Sequence, residues 1–329
     1  MIDRMVQLRA KPQPSELNLL KNVGDIVSDP LERKTFGLIM RCYAIDESSV
    51  DMIVYRATLL AERAAEIRVR GRALFKLIDI LVWADPRFRT LPEKSDWSDC
   101  GKTKEALDNH PVVQNLRGKV FVKTITNGDL YCKTLNFGVA WQTRRKIDFS
   151  VIASPYVLNA FTDENLTRMY DAFAGGARAV AFEVYDSDGV EVGRLSNAFC
   201  GWENESLITC GGFDMIAAKP HDQRMMSYKR AWSDDGATSY CYHEAGSEEV
   251  VPLARMAEHY PKRCIAPLRL TDPSQGYLPP DKTLHPLEFD RHIQKLATMR
   301  ARQDGHLKSM GYDPVVLRNG VMSGYGWRA

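Results

Sequence analysis

The sequence predicts an α+β protein with an N-terminal helical layer, a central antiparallel β module of sandwich type with one helix packed on it, and a C-terminal extended strap followed by a helix and a tail. Three observations carry that expectation. Apolar residues recur at helical spacing as far as about Ala84, the period becomes two from about Val112, and Pro267, Pro273, Pro279, Pro280 and Pro286 punctuate a late stretch with little periodicity. The corresponding divisions are residues 1–110, 111–245 and 246–329.

In chain order, Ser28 and Asp29 before Pro30 predict a helix start, because proline is tolerated where the backbone N–H has no partner anyway. Leu31, Leu38, Ile39 and Cys42 continue that helix. Ser48-Ser49-Val50-Asp51 resembles a capping box, and Val50, Ile53, Val54, Ala57, Leu60, Ala61, Ala64 and Ile67 keep one apolar stripe behind it. Arg72 to Trp83 is apolar nearly all round and predicts a buried helix that stops at Asp85-Pro86. Phe88 to Asn109 is polar and irregular, as in a linker.

In the β module, Val120–Thr126 and Asp129–Leu135 flank Asn127-Gly128, a pair that accepts the positive φ angles of a type I′ turn, so a hairpin is expected. Ile147–Ala153 predicts a strand. Thr162 can cap a helix with Phe161 and Leu166 as a hydrophobic staple and Gly175 as its left-handed stop. Ala179–Tyr185 and Val190–Val192 flank Asp186-Ser187-Asp188-Gly189 as a second hairpin, whose aspartates are turn formers and fall short of a calcium loop. Leu207–Cys210 and Phe213–Ala218 extend the same sheet. Beyond the prolines come a helix at Leu287–Lys308 and an aromatic tail.

Composition excludes some functions. No stretch approaches the roughly 18 uninterrupted apolar residues of a membrane helix. Lys+Arg 44 against Asp+Glu 42 leaves a net charge of +2, which argues against a surface that is entirely a nucleic-acid footprint and fits subunits that pack closely. Met1–Arg9 lacks the apolar segment of a secretory signal, so a cytoplasmic protein is expected. The seven cysteines, Cys42, Cys100, Cys132, Cys200, Cys210, Cys241 and Cys264, include no C-x-x-C pair and are expected to be free thiols.

Catalytic motifs are sparse. Gly101-Lys102-Thr103 lacks the first glycine of a phosphate loop, since Asp96 stands there. There is no Gly-x-Ser-x-Gly elbow, and His243-Glu244 has no second histidine of a zinc-protease helix. Cys241 and His243 share one face of an extended segment, and His259 and Cys264 follow, so the four could hold a tetrahedral zinc, the one cofactor the residues suggest. Arg63, Arg68, Arg70, Arg72 and Lys76 are interleaved with Glu62, Glu66 and Asp79, as on a solvated mixed-charge face. Arg144-Arg145-Lys146 could instead grip a phosphate backbone, with Trp141 either stacking on a base or packing in the core.

With no catalytic constellation in view, the expected function is a self-assembling structural protein without catalytic activity, such as a virus capsid, shell or matrix subunit. It would act as a homo-oligomer tied together by Tyr312, Val315, Leu317, Tyr325 and Trp327 of the tail, in the cytoplasm or the virion. The element order is similar, in architecture only, to that of the layer-forming proteins of double-stranded RNA virus particles. Two other classes stay open. One is an RNA-binding, nucleocapsid-type protein using Trp141, Arg144, Arg145 and Lys146; the other is an intracellular enzyme with a zinc or thiol centre at Cys241, His243, His259 and Cys264.

Overall fold

Phe36–Cys42 is buried at every position but Arg41, and a run apolar on both sides belongs to a strand covered on both faces rather than to a surface helix. The computed structural model describes residues 29–42, 47–83, 99–125, 131–183, 198–213, 231–232, 238–239, 249–260, 264–276, 281–284, 304, 307–308 and 310–313. The strands are β1 (Phe36–Cys42), β2 (Arg68–Val69), β3 (Arg72–Ala73), β4 (Phe75–Trp83), β5 (Val120–Ile125), β6 (Phe149–Ala153), β7 (Ala179–Glu183), β8 (Phe199–Glu203), β9 (Ala231–Trp232), β10 (Thr238–Ser239) and β11 (Ile265–Arg269). The helices are α1 (Glu47–Glu66), α2 (Asp99–Asn109), α3 (Pro111–Asn115), α4 (Tyr131–Arg144), α5 (Asp163–Ala174), α6 (Asn204–Thr209) and α7 (Val250–His259).

Mixed helices and strands are therefore present as expected, but the sheet is not a sandwich. Seven strands lie in the order β11-β7-β8-β6-β1-β4-β5, all parallel except β8, which runs antiparallel to both β6 and β7. Parallel neighbours need crossover connections, and the helices that supply them cover both faces. Ile39, Leu81, Ile152, Cys200 and Trp202 share a core with Leu135 and Val139 of α4, Leu207 of α6 and Met256 of α7. On the opposite face Phe36 and Phe149 stack on each other and pack against Phe173 of α5.

Residues 34–329 form one unit, so the divisions expected after residues 110 and 245 both fall inside it, and the sheet draws strands from all three stretches. Of residues 1–33 the described part is the turn at 29–33, where Leu31 N donates to Asp29 Oδ1. The helices expected over Leu31–Cys42 and Arg72–Trp83 are strands, because a continuous apolar run is compatible with either state. The hairpin expected at 120–135 is half right. Val120–Ile125 is a strand, but Tyr131–Arg144 is a helix, and Asn127-Gly128 lies outside the described residues.

Leu207–Cys210 belongs to α6 and its exit turn, not to a strand. Part of the expected linker is helix α2. The start of the expected strap is β11, whose Pro267 is tolerated because an edge strand needs hydrogen bonds on one side only. The turn at 186–189 and most of the helix expected at 287–308 lie outside the described residues.

Three elements match the sequence closely. α1 buries Val50, Ile53, Val54, Ala57, Leu60, Ala61 and Ala64 along one stripe, and β6 is buried throughout. In α5, Thr162 Oγ1 accepts a hydrogen bond from Asn165 N, and Phe161 and Leu166 are both buried. Gly175 keeps an ordinary φ of −78°; the positive φ, 96°, falls one residue later at Gly176.

Close approach of α4 to the sheet requires Gly138, where an added Cβ would stand 2.9 Å from Leu81 Cδ1 and 3.0 Å from Ile39 Cδ1. Gly138→Ala is expected to destabilise the protein by about 1–3 kcal/mol in thermal or urea denaturation. Gly101→Ala is the control. It lies in α2 with no atom within 4 Å of the added Cβ, and should stabilise by up to about 1 kcal/mol.

Candidate functional site

From β1 the chain proceeds through β4 to the edge strand β5, and then returns to the other side of β1 as β6. Connections that diverge from neighbouring parallel strands leave a crevice outside their carboxyl ends, where open α/β sheets hold their ligands. In this sheet the point at which the strand order turns back falls between the ends of β1 and β6. Cys42 closes β1 and is fully buried, which pushes its thiol up to about 12 and makes it a packing group rather than a nucleophile.

β6 leads into Ser154, whose N–H donates to Ala198 O and whose hydroxyl accepts from Tyr156 N, capping the 3-10 turn Pro155–Ala160. The Arg56 guanidinium of α1 lies 4.9 Å from the Tyr156 ring centroid, and its Nη1 is buried with no hydrogen-bond partner. This arrangement offers a hydroxyl and a positioned cation to an anionic ligand. A groove of about 530 Å³ opens beyond the same turn, lined by Arg63, Asn159, Thr162, Asp163, Ser274 and Gln275.

Beneath the sheet's other face lies a buried polar centre that the sequence did not suggest. Gln142 Nε2 donates to Leu38 O of β1 at 3.0 Å and to Asp79 Oδ2 of β4 at 2.9 Å, while Gln142 Oε1 accepts from Ser150 Oγ of β6 at 2.8 Å. Asp79 is fully buried and its Oδ1 has no partner. Burial pushes its carboxyl up to about 6, against the opposing pull of the Gln142 hydrogen bond, Lys123, Arg145 and the nearby Trp141 N–H.

Of the residues expected to bind nucleic acid, Trp141 is half-buried in α4, and Arg144, Arg145 and Lys146 are exposed at that helix's end. The structure adds two residues from β5. The Arg145 guanidinium lies 4.4 Å from the Phe121 ring and 4.5 Å from the Trp141 ring, and Lys123 Nζ also sits over Trp141. No sequence signal joins Phe121 and Lys123 to residues twenty positions away.

The expected zinc ligands are distributed differently. His259 is exposed at the end of α7, whereas Cys264 is buried and its thiol faces Met256 O at 3.5 Å. Cys241 and His243 lie outside the described residues, and among the described residues no group of three metal-ligating side chains occurs. Of the tail residues, Tyr312 packs on Val250, Ala254 and Leu307 of its own chain and donates to Glu258 Oε2; Val315, Leu317, Tyr325 and Trp327 lie outside the described residues. Among the described residues no helix is long and apolar enough to cross a membrane.

No protein-family model matches the chain, and no curated relative matches it in sequence. Solved structures do resemble it. A 4-diphosphocytidyl-2C-methyl-D-erythritol synthase from Anaerococcus prevotii is 9% identical with a TM-score of 0.42, over 82% of this chain and 98% of that one. A cytidylyltransferase from Leptospira borgpetersenii is 10% identical with a TM-score of 0.34, over 54% and 64%. S. aureus TarS in complex with UDP-GlcNAc is 10% identical with a TM-score of 0.38, over 88% and 79%.

The expectation of a capsid, virion or matrix subunit is corrected: the antiparallel sandwich and free strap from which it grew are replaced by a mostly parallel sheet that takes β11 into itself.

Asp79 makes a prediction about pH. Its folded value is raised from 3.8 to about 6, so the stability contributed by the neutral acid is fully present below about pH 4 and lost as pH rises through 6. Asp79→Asn cannot ionise. Measured by thermal denaturation from pH 4.5 to 7.5, the wild type should lose roughly 1–3 kcal/mol relative to the variant; a difference that stays constant over this range contradicts the assignment.

Proposed function

We propose that the chain is a transferase that binds a nucleotide-activated substrate in the crevice at the carboxyl ends of β1 and β6. The observation that carries this reading is the strand order, β11-β7-β8-β6-β1-β4-β5, whose direction reverses between those two strands in a sheet with helices on both faces. Reversal at that point sets two parallel strand ends side by side with their connections leading apart, the position at which open α/β sheets take up nucleotide-sized ligands.

The groups where the chain leaves β6 suit the phosphate part of such a ligand. Arg56, held against Tyr156 with an unpartnered buried Nη1, supplies a cation whose hydrogen bonding an anion would complete. Ser154 is fixed by its bond to Ala198 and sets the direction in which the chain leaves β6. The four described free cysteines, Cys42, Cys200, Cys210 and Cys264, are all buried, so none of these four is placed as a nucleophile, and the chemistry of this reading is substrate positioning.

A panel of nucleoside di- and triphosphates and nucleotide sugars, measured by calorimetry, should include at least one that binds, and Arg56→Met should weaken it about tenfold, the loss of one charge-assisted contact. A photoreactive form of that nucleotide should label peptides containing Phe36–Cys42 or Ser154–Ala160. Failure of every nucleotide to bind, or labelling confined to other peptides, overturns the reading.

A further inference from the structure

We propose a second anion site, remote from the crevice, in which Arg145 and Lys123 bind phosphate groups from a platform made by Phe121 and Trp141. The site is built from two elements that the sheet brings together, the exit of α4 and the edge strand β5. Where α4 ends, Arg145 N donates to Gln142 O, Lys146 N to Thr143 O and Ile147 N to Gln142 O, and Lys146 takes a positive φ of 58°. This closure turns the Arg145 side chain back over the helix's own last turn, onto Trp141, and across to Phe121.

An arginine stacked in this way is prepared for binding. Its ring contacts hold the guanidinium carbon 4.4 and 4.5 Å from two aromatic centroids, so little side-chain freedom remains to be lost when a ligand arrives. Among the described residues the Arg145 guanidinium makes no hydrogen bond and no ion pair, and Arg145 is exposed, so its N–H donors are available to a ligand. A planar fork of N–H donors matches two oxygens of one phosphate.

Lys123 adds a second cation beside it, and burial holds its ammonium below the ordinary lysine range. Arg144 and Lys146, both exposed, adjoin Arg145 in the chain, and the buried acid that acts on Lys123 and Arg145 is Asp79. Asp148, the nearest acid along the chain, is engaged with Lys34 and Thr35.

The same geometry changes the role expected of Trp141. Its ring is covered by Lys123 and Arg145, and Phe137 lies parallel to it at 6.4 Å, so it is a support for cations and not a surface for bases. Contact is therefore with phosphate, independent of base sequence and sensitive to salt. Both a nucleic-acid backbone and a free polyphosphate present that chemistry.

Two probes separate these sources: inorganic pyrophosphate and a mixed-sequence single-stranded RNA 20-mer, each titrated at 50 mM and 200 mM salt against the full chain. Wild-type protein should bind one or both, more weakly at the higher salt. Arg145→Gln and, separately, Lys123→Gln should each lower the affinity at least tenfold with the melting temperature little changed, and Arg145→Lys should not restore it, because charge without the planar fork is insufficient. RNA binding lost in the variants identifies a nucleic-acid backbone as the source, and loss confined to pyrophosphate identifies a small phosphate ligand. Absence of binding by either probe at 50 mM salt, or equal affinity in the wild type and both glutamine variants, overturns the proposal. Nucleotide labelling at the crevice stays intact in these variants, so failure here and failure of the crevice reading are distinguishable.

Discussion

The carboxamide of Gln142 ties together the three strands at which the sheet changes direction. It reaches from α4 to the backbone of β1, the carboxyl of β4 and the hydroxyl of β6, using both of its N–H donors and its carbonyl. A buried amide left partly unsatisfied would cost on the order of 1–3 kcal/mol, so this full set of partners fixes the rotation and height of α4 over the sheet. Gly37 makes room for it, since a Cβ there would stand 2.4 Å from Gln142 Oε1. Once α4 is fixed, its two ends are placed. Near its start Asn136 exchanges two hydrogen bonds of 2.8 Å with the backbone of Phe213, and at its finish Arg145 is set over β5.

How much of this was legible depended on whether the relevant partner was local. α1 and α5 could be read because an amphipathic stripe, an N-cap and a staple are written within a dozen residues, and Thr162 bonds to Asn165 as its spacing implies. β1 and β4 could not, because strands covered on both faces lose the alternation that marks a half-exposed strand, and Leu38-Ile39-Met40 or Leu77-Ile78 are equally good helix interior. The hairpin misled for a related reason. Asn127-Gly128 permits a tight turn, but the next described element, Tyr131–Arg144, is the helix that carries the chain from edge strand β5 across to β6, so no strand follows to pair with β5. Pro267 signalled an irregular segment where the chain forms an edge strand.

The candidate sites divide in the same way. Arg144, Arg145 and Lys146 stood out as a charge run, but what positions Arg145 comes from Phe121 on another element, and the Asp79–Gln142–Ser150 centre joins residues from β4, α4 and β6. The crevice between β1 and β6 has no local signature at all, because it is a property of strand order. The sequence motifs that favour a structural protein say nothing about strand order, on which the proposed binding site rests. The two sites also differ in kind. The proposed crevice follows from the strand order at β1 and β6, and the proposed anion site pairs exposed Arg145 with half-buried Lys123 over Trp141 at the sheet's edge.

The central claim is that substrate binds outside the carboxyl ends of β1 and β6. Hydrogen–deuterium exchange, recorded with and without a bound nucleotide, tests it most directly, because it reports where backbone amides become protected without presupposing a reaction. The account predicts slowed exchange at Ser154–Ala160 and along the first half of α1, with Ala179–Glu183 unchanged. Protection absent from Ser154–Ala160, in the presence of a nucleotide shown to bind, would contradict it.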